Sequence, residues 1–470
     1  MNFKSRIAGV VKDKQLMKSY QQGTQGHAQR RKEKVPQFPL FSAMRDKAHR
    51  VRMYSLNHLP QLLDQLEKRC TENGISVLWA QDGKTMNEIV ADILTQHKCR
   101  LILKGKSMVS EETHLNDYLE KKGFECLETD LGEYILQLGS EAPSHIIAPA
   151  IHKNMDQIKS LILGKDYDDG KIDMTEEELI DYVRKQMRKK YAIADAGISG
   201  VNFAFADNGA LCLVENEGNG RYTTTVPRVH IAVMGIEKVN PSFADLGDLL
   251  KILTLSACGQ SITTYTNIIT SPRKLGELDG PDHVYLVLLD NGRSSMLKDP
   301  ELKKALLCIR CGACLNHCPV YNTIGGHSYG TVIPGPIGQI LMPQLKGLDK
   351  ASDILSASSL CGRCAEVCPV KIPITDIILK LRHCAVEKKS PLPSAGCKKT
   401  LSETLLWNMW ALCHRSPLMY RLMKVGAFLT PTFLQENMPM LKNWARYRVM
   451  PKIKWNGLKK LASRNGNVEQ

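Results

Sequence analysis

Seven cysteines between residues 308 and 368 constrain this chain more than any other feature. They run Cys308-x2-Cys311-x2-Cys314-x3-Cys318-Pro319, then Cys361-x2-Cys364-x3-Cys368-Pro369. This is the spacing with which a bacterial ferredoxin holds two iron–sulfur clusters. Thiolates two residues apart converge on one cubane from a tight loop, and the proline after the last cysteine turns the chain away. In two-cluster ferredoxins that last cysteine ligates the other cluster. The pattern therefore assigns Cys308, Cys311, Cys314 and Cys368 to one cluster, and Cys318, Cys361 and Cys364 to a second. A lone CxxC also fits a redox dithiol or half a zinc site. Zinc takes four ligands, however, and would leave three of these cysteines over. Gly312 and Gly362 each follow a cysteine, where a small residue lets backbone N–H groups approach sulfur.

The second run is one ligand short, with Ser358 where a full run has cysteine. The alternatives are a three-iron cluster, or a four-iron cluster with an open or non-cysteine ligand. Ser358 and the downstream Cys384 are both candidates to complete it. A bare iron would offer a place for substrate or partner; a three-cysteine site used only for electron transfer explains the pattern equally well.

At 470 residues the chain has length for roughly two to four domains. The eight cysteines outside the motifs are scattered (70, 99, 126, 212, 258, 384, 397, 413). Such thiols beside cluster motifs indicate a reducing compartment rather than a disulfide scaffold. The N-terminus lacks an apolar secretory core, and no run of about 18 apolar residues predicts a membrane span. A cytoplasmic protein is expected. The net charge of +15 sits at the ends: residues 1–52 hold 13 basic against 3 acidic side chains, and residues 371–470 hold 18 against 5. With no nucleic-acid-binding motif or aromatic platform, these ends suggest docking to an acidic partner or peripheral association with an anionic membrane surface. Solubility alone is the simpler explanation.

Four segments are expected. Residues 1–52 form a basic N-terminal arm, extended or loosely helical. Residues 53–295 form one α/β domain, because strand-like and helix-like stretches alternate: Ile75–Trp79, Arg100–Leu103 and Phe124–Leu127 as strands, with Thr85–His97 and Glu111–Lys122 as helices. Thr175 with Glu178 is a capping-box pattern, and Asn208-Gly209 predicts a hairpin before Leu211. Val229–Met234 and Val284–Leu289 are further strands. Residues 299–380 form the cluster domain, of short helices around the metal sites. Residues 381–470 form a helical C-terminal extension, broken by Pro431, Pro439 and Pro451 and carrying Trp407, Trp410, Trp444 and Trp455.

Two places outside the cysteines gather polar groups. Lys104, Lys106 and Ser107 leave a predicted strand and enter a helix, where α/β sheets bind ligands and helix N-termini attract anions. They are candidates for a substrate carboxylate or phosphate; a solvated basic turn is the plainer explanation. Glu128-Thr129-Asp130 ends a neighbouring strand and shares that rim. The loop Glu217-Gly218-Asn219-Gly220-Arg221, followed by Thr223-Thr224-Thr225, supplies glycines and an arginine for an anion, although an ordinary glycine turn is the commoner meaning. His145 and His230 are isolated histidines, more often packed than catalytic. No catalytic residue is identified.

LKGKSMVSEE, LETDLGEYILQL, PSHIIAPAIHK, ISGVNFAFADNGALCLVENEGNGR, SACGQSITTY, GPDHVYLVLLDNGRS, CIRCGACLNHCPVYNTIGGHSYG, SLCGRCAEVCPVKIPI and RSPLMYRL resemble the lactate-utilisation iron–sulfur protein family (LutB type) over nearly the whole chain. The resemblance implies a LUD domain of the NagB/RpiA/CoA-transferase-like α/β fold, an α-helical ferredoxin-like domain with two [4Fe-4S] clusters, and a helical extension. It implies action with a cysteine-rich protein and a smaller LUD-domain protein in oxidising L-lactate to pyruvate. The missing first cysteine of the second motif is then the family's own pattern. The chain shows no nucleotide fingerprint, so electron relay is expected, with the C–H cleavage in a partner or at a shared interface. In a second arrangement the LUD domain itself takes the substrate, with Lys104, Lys106 and Arg221 on the lactate carboxylate. The alternatives are a ferredoxin-like subunit of another dehydrogenase or quinone-linked complex, and a regulatory module sensing oxidation.

Overall fold

Short apolar runs bounded by polar turns supply ten strands among the described residues: β1 Ser76–Ala80, β2 Leu101–Lys104, β3 Glu125–Glu128, β4 Ala196–Gly200, β5 Phe203–Phe205, β6 Leu211–Glu215, β7 Val229–Gly235, β8 Val239–Asn240, β9 Tyr265–Ile269 and β10 His283–Leu289. The computed structural model describes residues 3–164, 174–386 and 401–429. Six strands pair in the order β1-β10-β7-β4-β2-β3, every pairing parallel. β4 and β7 are buried from end to end, as a parallel sheet covered on both faces requires. Alternation along β7 divides two cores. Val229, Ile231 and Val233 join Met86, Val90 and Leu94 of helix Gly83–Gln96. Ala232 and Met234 join Leu59, Leu62, Leu63 and Leu66 of helix Leu59–Glu72, whose three- and four-residue spacing makes one apolar stripe.

A smaller sheet, β8-β5-β6-β9, contains the hairpin expected at Asn208-Gly209; Gly209 takes a φ of +74°, which the turn needs and glycine adopts without strain. The capping box at Thr175 and Glu178 is present. The single helix expected over Glu111–Lys122 is two, Met108–Glu112 and Leu115–Lys121. Asn87 draws off the Thr113 carbonyl (2.8 Å), and His114 turns left-handed (φ +53°) at the break.

The N-terminal segment is helical over Phe3–Val10, Lys14–Lys34 and Phe41–Asn57, and four of its arginines point inward while most of its lysines are exposed. Arg6 donates to the carbonyls of Ser328 and Tyr329, Arg31 to Val367, Arg45 to Glu366 and Cys368, and Arg52 to Leu306 and Leu307. These four arginines staple the segment to the cysteine-bearing region, a use that a charge count cannot separate from surface docking. That region is a succession of short helices around helix Gly335–Lys346, which is buried from Gly335 to Gln344. Tyr20, Phe41, Leu255, Leu315 and Ile340 share one core, joining N-terminal helices, α/β domain and cysteine region.

Residues 398–470 form a separate unit. Its described part is two helices, Leu401–Arg415 and Pro417–Leu429. Proline suits the first turn of the second helix, where its missing N–H is not needed, and Ser416 Oγ accepts from Met419 N (3.4 Å). Trp407 and Trp410 meet edge to face at 5.8 Å. Pro431, Pro439, Pro451, Trp444, Trp455 and Cys397 lie outside the described residues. Among the described residues no helix is long and apolar enough to cross a membrane.

Candidate functional site: two cysteine loops and a cavity at the sheet's carboxyl edge

The two cysteine loops repeat one backbone. Arg310 and Leu360 are left-handed (φ +60° and +57°), as are Gly312 and Gly362 (+74° and +81°). Each loop then enters a one-turn helix, Ala313–Asn316 or Arg363–Glu366. Arg310 N donates to Cys308 Sγ (3.3 Å), and Leu360 N donates to Ser358 Oγ (3.1 Å). Ser358 therefore occupies in the second loop the place of Cys308 in the first. The closing cysteines match as well: Tyr321 N donates to Cys318 Sγ and Ile372 N to Cys368 Sγ, both at 3.4 Å.

The thiols act on one another within each run and across the two, Cys314 feeling Cys364. Burial and then Cys308 and Cys368 push Cys311 up; burial and then Cys308, Cys311, Cys364 and Cys368 push Cys314 well up. Burial raises Cys318, with Cys361 adding to it, and burial, Cys318 and Cys361 raise Cys364 to about 12. Thiols so buried and mutually repelling ionise together only around a cationic centre. A single zinc would draw its sulfurs to about 3.8 Å of one another. Among the described residues no three cysteine sulfurs lie within even 4.8 Å. Loops of thiols with N–H groups aimed at sulfur fit iron–sulfur clusters, in which such hydrogen bonds help set the potential. Cys311, Cys314 and Cys368 are buried, whereas Cys361 is exposed and Ser358 half-buried.

A cavity of about 560 Å³ opens where the parallel strands end, the position at which α/β sheets bind ligands. Lys106 and Ser107 after β2, Gly200 ending β4, Glu237 and Lys238 after β7, and Arg293 after β10 line it. So does Arg310, from between the first two cysteines. Its floor is a buried ionic lattice. Arg293 holds Glu112 through two bonds (3.0 and 2.8 Å) and Glu237 through a third (2.7 Å). Arg310 Nη2 stands 3.6 Å from Glu237 Oε1. Burial pushes Glu237 up, but Arg293, Lys238 and Arg310 outweigh it and leave the carboxyl at about 2. Burial, then Arg310, draws Lys238 down to about 8 against the pull of Glu237.

A family model of the LUD domain matches residues 63–289, one of a 4Fe-4S dicluster domain residues 304–372, and one of the C-terminal region of lactate utilisation protein B residues 380–467. The chain is 40% identical over 457 residues to Lactate utilization protein B of Bacillus subtilis (strain 168), covering 96% of this chain and 93% of that protein. It is as similar to the protein of that name from Bacillus velezensis, over 96% and 94%. It is 37% identical over 456 residues to the "Uncharacterized electron transport protein YkgF" of Escherichia coli (strain K12), over 96% and 94%. The chain belongs to the lactate utilisation protein B family.

Seen as a family member, the chain distributes its expected substrate residues unevenly. Lys106 and Ser107 line the cavity. Lys104 does not: its Nζ lies inside a carboxylate cage, 2.7 Å from Glu128, 2.8 Å from Glu111 and 3.9 Å from Glu133. Burial would pull that ammonium down; Glu128, Glu111 and Glu133 hold it well above its ordinary range. Burial, then Glu128, pushes Glu133 well up. Arg221 is exposed and outside the cavity lining. The N–H groups of Gly220 and Arg221, which an anion would need, already donate to Glu215 (2.7 and 2.6 Å). His145 is buried against the first cysteine loop, bonded to Asn316 Oδ1 (3.0 Å), and His230 is buried against Ser199 Oγ (2.8 Å). Sequence reasoning passed over Lys238, Arg310, Glu237 and Arg293. A charged pair, Glu237-Lys238, one residue beyond a strand apolar but for His230 was the available signal.

Proposed function

We propose that this chain is the iron–sulfur electron-transfer component of a cytoplasmic, multi-protein system that oxidises L-lactate to pyruvate and so allows growth on lactate. Its relatives' names point to lactate use, and one observation carries the reading furthest. Arg310 belongs both to the first cysteine loop and to the wall of the cavity, so a bound molecule and a cluster ligand are separated by one residue. Cys308, Cys311, Cys314 and Cys368 would hold the first [4Fe-4S] cluster; Cys318, Cys361 and Cys364 would hold the second, with Ser358 as fourth ligand because it repeats the place of Cys308. When bound, the clusters supply one-electron acceptance. Lactate gives up two electrons and two protons, and the C–H cleavage falls to a partner or to a shared interface, since this chain has no nucleotide fingerprint. A cysteine-rich protein and a smaller LUD-domain protein are the expected partners. Within this chain, Arg293 ties Glu112 and Glu237 and so limits their competition for an anion, while Lys106, Lys238 and Arg310 supply positive charge to a lining that also carries Asp130, Glu215 and Glu217.

A second reading, the ferredoxin-like subunit of another dehydrogenase, draws on the relative named for electron transport. The deciding experiment is EPR of the anaerobically purified, iron-counted chain with L-lactate, glycolate or glycerol phosphate, alone and with the two partners. Reduction by L-lactate only with partners present is the expected result. Turnover of lactate by the chain alone with an artificial acceptor would sink the relay, and equal response to all three substrates would favour the second reading.

A further inference from the structure

Lys238 is a buried cation whose nearest carboxylate, Glu237, is shared with Arg293 and Arg310. Its side chain follows β7 into the cavity, the residue is 7% exposed, and no hydrogen bond or ion pair engages its ammonium among the described residues. Arg310 faces the same space, and its Nη1 is buried without a hydrogen-bond partner. The nearby carboxylates are held by arginines: both oxygens of Glu112 and Oε2 of Glu237 accept from Arg293, while Glu237 Oε1, without a hydrogen-bond partner, stands 3.6 Å from Arg310 Nη2. Two cations in a partly dehydrated site repel, one carboxylate shared with Arg293 does not hydrogen-bond either of them, and leaving Lys238 Nζ and Arg310 Nη1 without an acceptor is costly. Such a pair is stabilised by an anion that enters from solvent.

We propose that Lys238 and Arg310 form the binding site for the carboxylate of a small 2-hydroxy or 2-keto acid, with Lys106 at its rim. The guanidinium fork and the ammonium suit a carboxylate by charge and geometry. Val201, Leu253 and Met108 line the same cavity and suit a short alkyl group. The volume of about 560 Å³ lies within the range of small-molecule sites and exceeds what a three-carbon acid fills, leaving room for a second reactant. The acid class rests on the proposed function; the anion site itself does not. Because Arg310 N donates to Cys308 Sγ, an acid seated on this arginine would also perturb the first cluster.

The test is calorimetric binding of pyruvate, L-lactate and inorganic phosphate to the full chain, purified anaerobically with its iron counted. Pyruvate and L-lactate should bind. Lys238→Met should weaken them about ten- to hundredfold, the loss expected for one charged hydrogen-bond partner, with iron content unchanged, and Lys238→Arg should recover part of it. Arg310→Lys, which keeps the charge but loses the fork, should weaken binding about tenfold and alter the change in EPR line shape that pyruvate causes in the wild type. Unchanged affinity in both Lys238→Met and Arg310→Lys overturns the site, as does binding of phosphate in place of both acids. Lys238-dependent pyruvate binding in a chain whose partners never pass it electrons from lactate supports the site while removing the proposed function.

Discussion

The two cysteine loops have one backbone and opposite surroundings. The first is enclosed: His145 and Ile147 lie against Gly312, Arg310 reaches the cavity wall, and Cys311 and Cys314 are buried. The second faces outward, with Cys361 exposed, open space beside Gly362, and Ser358 in place of a cysteine. A local sequence pattern sets the loop conformation, while the neighbours it packs against set access. On this comparison electrons would enter at the enclosed loop, next to the cavity, and leave at the exposed one, where a partner can approach.

The strongest way to break the comparison is to cross it. Cys368 belongs by sequence to the second run but should serve the first cluster. Cys368→Ala should remove that cluster, about four of roughly eight irons, and leave the exposed one; iron analysis with EPR distinguishes this from loss of the second. A smaller effect is expected at Ser358. Ser358→Ala should release one iron of about eight and give an oxidised three-iron EPR signal, whereas Ser358→Cys should retain all of them and shift only the second cluster's potential. Full iron retention in Ser358→Ala would assign the fourth ligand elsewhere, with Cys384 the next candidate.

The smallest expected effect compares the loop glycines. Gly362→Val should cost about 1–2 kcal/mol, the strain of a side chain in the left-handed region. Gly312→Val should cost more, because a Cβ there already touches His145 and Ile147 at 3.4 Å, so the added methyls must share space with them. The temperature at which cluster absorbance bleaches should fall in both variants and further in Gly312→Val; equal shifts would mean that the enclosure of the first loop contributes nothing.

Much of this molecule is legible along the chain, because much of it is set by local rules. Thiol spacing, the glycines after Cys311 and Cys361, the apolar runs of β7 and β10, the Asn208-Gly209 hairpin and the Thr175 cap each depend on a few consecutive residues. The parallel order β1-β10-β7-β4-β2-β3 does not, and neither does the fate of a charged group. Lys104 and Lys106 are two residues apart, yet one is caged by Glu111, Glu128 and Glu133 and the other lines the cavity. Arg52 is buried against carbonyls of the cysteine region, while Arg221 is exposed. Spacing along the chain governs which thiols can share a loop. Whether a lysine or arginine finds a carboxylate, a carbonyl or an empty cavity depends on segments as much as 336 residues away, and those distances exist only once the strands and helices have packed.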